Sequence, residues 1–173
     1  MLAGNAGLCY RGSAGDVGRK RPCECYHSSI AGLTNIGSDH AAWLGAEPAA
    51  VARDKGRALA AARSAVIGSG VDEKCVAALG APAARRAGSL VGCKAVGGGR
   101  VAVSWDGIET TVRLPLSGSH QRDNLELALA LAHEAANTGW LKSLEPSRVQ
   151  VALDGLNWPG RLSFHRVKGR EVL

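Results

Sequence analysis

The sequence predicts an α/β fold, a parallel sheet with flanking helices followed by a small antiparallel β meander. Three observations carry this reading. Between residues 29 and 79 short apolar runs alternate with helical runs in the order strand, helix, strand, helix, which builds parallel sheets. Asp106-Gly107 lies between two β-rich runs, a strong hairpin signal. Residues 121–137 place Leu125, Ala128, Leu129, Ala132 and Ala136 at helical spacing, which marks an amphipathic helix.

Residues 1–28 are rich in Gly, Cys and Arg and lack either periodicity, so they read as unstructured. Residues 30–36 form an apolar run suited to a buried strand, ending shortly before Asp39-His40. Glu47-Pro48 then opens a helix running to Ala62, with proline tolerated in the first turn. Ala65-Val66-Ile67 is a second buried strand that breaks at Gly68-Ser69-Gly70, and 72–79 is a second helix. Residues 89–96, 100–105 and 110–116 are β-rich, with Gly97-Gly98-Gly99 as the earlier turn. The helix over 121–137 ends at Asn137-Thr138-Gly139. A shorter helix over 146–153 follows, then a break at Asn157-Trp158-Pro159-Gly160 and strands over 162–167 and 171–173.

Composition narrows the class. The 173 residues are 46% hydrophobic, without an apolar stretch long enough to span a bilayer, so no membrane partner is expected. The opening Met1-Leu2-Ala3-Gly4 carries no basic segment of an export signal. The cytoplasm is the expected location, or an organelle where a targeting segment is missing from the sequence. Five irregularly spaced cysteines suit free thiols better than a disulfide framework or a zinc site. Cys23-Glu24-Cys25 with His27 lacks a local fourth ligand. A net charge of +6 suits an anionic partner. Aromatics are only 4% and do not interleave with basic residues, so a single-strand nucleic-acid platform is not expected.

Four motifs carry chemistry. Asp39-His40-Ala41-Ala42-Trp43-Leu44-Gly45 follows the first strand, at the carboxyl end where α/β sheets receive ligands. Lys55 lies on the next helix. Gly118-Ser119-His120-Gln121-Arg122-Asp123-Asn124 opens the long helix, where Ser119 and its neighbours are also suited to capping. Trp158-Pro159-Gly160-Arg161-Leu162 marks a turn. Taken locally, Asp39-His40 reads as a hydrogen-bonded structural pair and Lys55 as a surface lysine. In this order, the four words resemble the folylpolyglutamate synthase and dihydrofolate synthase family, a branch of the Mur ligase superfamily.

The resemblance implies a partial Mur-ligase-type central domain over 29–158 and a hinge with the first strands of a truncated C-terminal domain over 159–173. It implies an ATP-dependent amide ligase that adds L-glutamate to a folate or dihydropteroate carboxylate through an acyl phosphate. By that resemblance His40 ligates magnesium (Mg2+), with Asp39 supporting it. Lys55 is carboxylated on its amine, giving the metal two hard oxygens; partial burial would favour the neutral amine that reacts with carbon dioxide. Asn124 contacts ATP through an amide that both donates and accepts. Arg161 reaches the phosphates, and His120 adds a weaker contact with ATP.

The sequence also departs from the pattern. Lys55-Gly56-Arg57 stands where the family continues Lys-Ala-Gly, and neither a Gly-x-x-Gly-Lys-Ser phosphate loop nor an Asp-Gly-Ala-His-Asn element occurs. Codons for Cys23-Glu24-Cys25-Tyr26-His27 read one nucleotide later can encode Ala-Asn-Ala-Ile, close to the family sequence, so residues 1–28 read as an out-of-frame start. The expectation is therefore a fragment with little activity of its own. The alternative is a catalytically inactive remnant, or a nucleotide-binding fragment of that family.

Overall fold

The computed structural model describes residues 29–37, 47–156, 165–167 and 170–172. Its first sheet has the order β1-β2-β3, built from β1 (Ile30–Leu33), β2 (Ser64–Ile67) and β3 (Arg85–Arg86). Ser64 N–H donates to Ser29 O at 3.1 Å and Gly68 N–H to Leu33 O at 2.8 Å. The equal sequence offset of these two bonds is that of parallel strands. β2 and β3 also pair in parallel, Val66 opposite Arg85 and Ile67 opposite Arg86.

The second sheet is the meander β4 (Gly92–Gly97), β5 (Arg100–Trp105) and β6 (Ile108–Arg113). Asp106 (φ 46°) and Gly107 (φ 78°) are both left-handed, closing a two-residue hairpin between Trp105 and Ile108. That is the turn an Asp-Gly pair favours. β7 (His165–Val167) and β8 (Arg170–Val172) form a separate antiparallel pair. The α/β class and the mixed sheet content expected from sequence are therefore present.

The described residues fall into two compact units, one drawn from 29–31, 36–37, 47–65 and 72–84, the other from 32–35, 66–71, 85–156, 165–167 and 170–172. The first holds α1 (Pro48–Ala60) and α2 (Glu73–Ala78). α1 starts at Pro48, whose missing N–H costs nothing there, and buries Val51, Ala52, Gly56 and Leu59 along one side. Asp72 caps α2 by accepting from Lys74 N–H at 2.8 Å. A Cβ on Gly56 would lie 1.8 Å from the carbonyl oxygen of Leu79. Glycine after Lys55 thus follows from the close approach of the residue that ends α2, which gives the departure at this position a steric cause.

The second unit carries α3 (Ser119–Asn137) and α4 (Pro146–Asp154). Its core joins Val66, Val91, Val101, Val103, Trp105 and Val112 to Leu125, Leu127, Leu129 and Ala130 of α3, with Val149 and Leu153 of α4. The meander buries one face, as the alternation in β5 requires. The exposed edge of β6 is covered by α4: Arg113 N–H donates to Gln150 Oε1 at 2.9 Å, and Gln150 Nε2 donates to Asp154 Oδ1 at 2.8 Å. Satisfying this edge donor opposes pairing with another strand there. Among the described residues no helix is long and apolar enough to cross a membrane.

Several element boundaries differ from expectation. β1 ends at Leu33 rather than residue 36, and residues 34–37 are irregular. The run expected to be extended from 89 begins instead as a 3-10 turn, Ala87–Ser89, before β4 starts at Gly92. β6 spans Ile108–Arg113 rather than 110–116, because the two-residue turn sets its start. α3 begins at Ser119, making that serine the first helical residue rather than a cap. Its buried set is Leu125, Leu127, Leu129, Ala130, His133 and Glu134, whereas Ala128 is exposed. With apolar residues at 125, 127 and 128–132, periodicity alone does not single out one face.

Gly56→Ala sets two effects against each other. Alanine favours a helix interior by about 1 kcal/mol, while overpacking costs about 1–3 kcal/mol. The 1.8 Å approach to a backbone atom makes overpacking win. Urea unfolding of the variant is expected to show a lower midpoint, and an unchanged or higher midpoint would contradict the packing of α1 on α2.

Candidate functional site

The carboxyl end of β2 and the start of α3 supply the polar chemistry of the second unit. β2 gives way to Gly68-Ser69-Gly70-Val71, where Val71 N–H donates to Gly68 O at 3.1 Å. Gly68 is packed so closely that a Cβ would lie 2.5 Å from Thr34 O. Arg86, ending β3, donates from Nη1 to Val71 O at 2.8 Å and to Gly68 O at 3.4 Å. Its guanidinium therefore clamps the turn by neutralising carbonyls that no strand pairs. Ser69 Oγ donates to Glu126 Oε2, joining this turn to α3.

Gly118 precedes α3 with φ 113°. The backbone conformation there favours glycine, and a Cβ would come within 2.6 Å of the exposed His120 ring. Asn124 Nδ2 donates to Gln121 Oε1 at 3.0 Å, and Gln121 Nε2 lies 3.0 Å from His120 Nε2. With Gln121 donating, His120 accepts at Nε2 and carries its proton on Nδ1. The Gly-x-His-Gln-x-x-Asn word is thus one hydrogen-bonded string along the first turns of a helix. Among the described residues nothing bonds Asn124 Oδ1, and the side chains of Asn124 and His120 are exposed. No side chain caps this helix start and no acid lies in its first turn; the N–H groups and the positive end of the dipole favour an anion there.

A charged cluster flanks the string. Arg122 donates to Asp123 Oδ1 from Nη2 at 2.9 Å and from Nε at 3.1 Å. Cys93 of β4 is pushed up from 9.0 to about 12, first by burial and then by the Glu126 carboxylate, with Arg122 opposing and Asp123 adding a smaller push. Cys93 and Cys75 are free thiols, while Cys9, Cys23 and Cys25 lie outside the described residues. Deeper in α3, His133 Nε2 lies 2.8 Å from Asp106 Oδ2, and its Nδ1 lies 3.2 Å from Asn137 Nδ2. One neutral tautomer satisfies both contacts, tying the hairpin to the helix. Buried Glu134 pairs with Arg85.

The structure brings His120, Gln121 and Asn124 together. Lys55 sits in the other unit, half-buried on α1. His40, Asp39 and Arg161, together with residues 1–28 and the Trp158-Pro159-Gly160 turn, lie outside the described residues. Among the described residues no group of three His, Cys, Asp or Glu side chains gathers to hold a metal ion. Reading the sequence missed the Ser69–Glu126 bond and the Arg86 clamp. The Gly68-Ser69-Gly70 break after a buried strand was the available signal for the first.

Comparison with solved structures shows where this fold recurs. The chain shares its fold with FPGS from L. casei, at TM-score 0.69 and 22% identity over 80% of this chain and 36% of that one. It is similar to E. coli FolC solved with DHPP and ADP, at TM-score 0.61 and 20% identity over 82% and 33%. MurF from Acinetobacter baumannii matches at TM-score 0.62 and 19% identity over 84% and 33%. Other matching FPGS structures are complexes with AMPPCP and with AMPPCP and folate. All these proteins are of the Mur ligase superfamily, and the α/β fold described above is theirs. The chain spans about a third of the length of each, as the 36%, 33% and 33% coverages give. No family model and no curated protein matches it.

The raised Cys93 pKa gives stability a pH dependence. The folded thiol holds its proton more tightly than an unfolded one, so its contribution is intact below pH 9 and is lost as pH rises from about 9 towards about 12. Thermal melts from pH 8 upward are expected to show the unsubstituted chain losing stability faster than Cys93→Ala through that window. Parallel curves would contradict the burial of Cys93 against Glu126.

Proposed function

We propose that this chain supplies part of the nucleotide site of an ATP-dependent amide ligase that joins L-glutamate to a folate or dihydropteroate. The observation that carries the reading is the His120-Gln121-Asn124 string at the uncapped, positive start of α3. It stands on a fold shared with proteins solved with AMPPCP, ADP, folate and DHPP. Gln121 orients the Asn124 amide by taking one of its N–H bonds, leaving Oδ1 to accept from an adenine amino group. The start of α3, without a side-chain cap or an acid in its first turn, favours the phosphate charge.

In the proposed reaction a carboxylate oxygen of the pterin substrate attacks the γ-phosphorus of ATP, and ADP leaves. The amine of glutamate then attacks the acyl carbon and inorganic phosphate departs, with the amine proton lost to solvent. Magnesium would neutralise the phosphates. Its assignment to His40 and a carboxylated Lys55, and that of the phosphates to Arg161, rest on the family resemblance. A chain with no Gly-x-x-Gly-Lys-Ser loop lacks a main element for positioning the phosphoryl group. The reading is therefore nucleotide binding with slow ligation by the 173 residues alone.

Titration with a fluorescent ATP analogue tests the nucleotide site. Saturable binding is expected, weakened about tenfold by Asn124→Ala, which removes one or two hydrogen bonds. No saturable binding at millimolar nucleotide, or an unchanged affinity in the variant, would overturn the reading. Lys55 makes a separate test. Carbon-13 NMR of protein equilibrated with labelled bicarbonate is expected to show a carbamate signal that Lys55→Arg removes; a spectrum without that signal would remove the carboxylated lysine from the account.

A further inference from the structure

The Ser69–Glu126 bond joins two segments that are far apart in sequence, the turn after β2 and the start of α3. Ser69 sits in the turn that leaves the carboxyl end of β2, and that turn is held from below by Arg86 and packed at Gly68 against Thr34. Glu126 sits in the second turn of α3, two residues beyond Asn124. At about 100° per residue these two side chains leave the helix on opposite flanks. Holding one flank therefore sets the direction in which the other points.

This start of α3 needs such a hold. It has no side-chain cap, and Gly118 ahead of it gives the chain freedom to pivot. Leu125 and Leu127 are buried, but the residues before them are polar and half-buried or exposed. Asp123 adds a neighbour to the same turn, with Oδ2 lying 4.0 Å from where a Cβ on Gly70 would be. The space around the bond is small: a Cβ on Gly88 would lie 3.1 Å from Ser69 Oγ and 3.6 Å from Glu126 Oε1. A hydroxyl donating to a carboxylate is among the stronger neutral-to-charged hydrogen bonds, and this one closes the β2 turn onto the helix.

We propose that Ser69 and Glu126 are positioning residues, anchoring the first turns of α3 to the β2 turn so that Asn124 and His120 are held ready for nucleotide. The inference rests on the nucleotide-binding reading above for its functional half; the anchoring half concerns the free chain alone. Without the bond the helix start opens more often, and a nucleotide must then supply the ordering that the anchor now provides.

The test uses the 173-residue chain with Ser69→Ala, Glu126→Ala and the conservative Glu126→Gln, whose amide oxygen still accepts from the serine. Hydrogen–deuterium exchange of the free chain is expected to speed up about tenfold over residues 123–126, whose amides bond within the helix, in both alanine variants, with exchange in β5 and in the second half of α3 unchanged. Glu126→Gln is expected to restore it. Affinity for the fluorescent ATP analogue is expected to fall about threefold to tenfold in the alanine variants and to recover in Glu126→Gln. Unchanged exchange in Ser69→Ala and Glu126→Ala would overturn the anchor. Faster exchange with unchanged affinity would reduce the bond to a purely structural contact and overturn its positioning role. An unsubstituted chain that binds no nucleotide would overturn the ligase reading and the positioning role with it, while exchange alone still decides the anchor.

Discussion

The second unit depends on burying one helix on more than one side. α3 sends Leu125, Leu127, Leu129 and Ala130 into a core shared with Val66 of the parallel sheet, Val101, Val103, Trp105 and Val112 of the meander, and Val149 and Leu153 of α4. Each large aliphatic side chain so buried is worth about 1.5–3 kcal/mol, which fixes the helix against both sheets. That placement obliges the helix to carry polar groups inward as well. His133 and Glu134 are buried, and each has a partner, Asp106 at the hairpin tip and Arg85 in β3. Unpaired, either would cost more than its hydrogen bond returns.

The same burial explains why the candidate site sits at the amino end of α3. Apolar packing begins at Leu125, so the residues before it are released from the core and are available to a ligand. Gly118 permits the turn into the helix, His120, Gln121 and Asn124 bond to one another rather than to the core, and no side chain caps the helix start. The carboxyl end of β2 lies beside this start through Ser69 and Glu126. Sheet and helix thus contribute to one polar region for the reason α/β folds place ligands there.

Local signals were legible in the sequence and tertiary ones were not. Asp106-Gly107 named its hairpin because only residues tolerant of left-handed backbone suit that turn, and Pro48 and Pro146 marked helix starts through chemistry confined to one position. β3 was not legible, since Arg85-Arg86 is a strand only by pairing with Val66 and Ile67. The helix face was misjudged where apolar residues surround the axis, and Ala128 proved exposed. The Gly118–Asn124 word was readable as a string of residue types, and the structure adds that its side chains bond to one another. Gly56 had no local explanation until the Leu79 carbonyl was found against it. The Ser69–Glu126 bond joins positions 57 apart, a separation at which neither residue predicts the other.

On the reading proposed above, a nucleotide is received at the start of α3. A crystal structure of the chain grown with a non-hydrolysable ATP analogue tests it most directly. The account predicts the adenine against Asn124, with the Gln121 amide still holding that side chain and the phosphates towards the N–H groups of the first turn. An analogue seated away from residues 118–124, with the string of hydrogen bonds undisturbed, would contradict it.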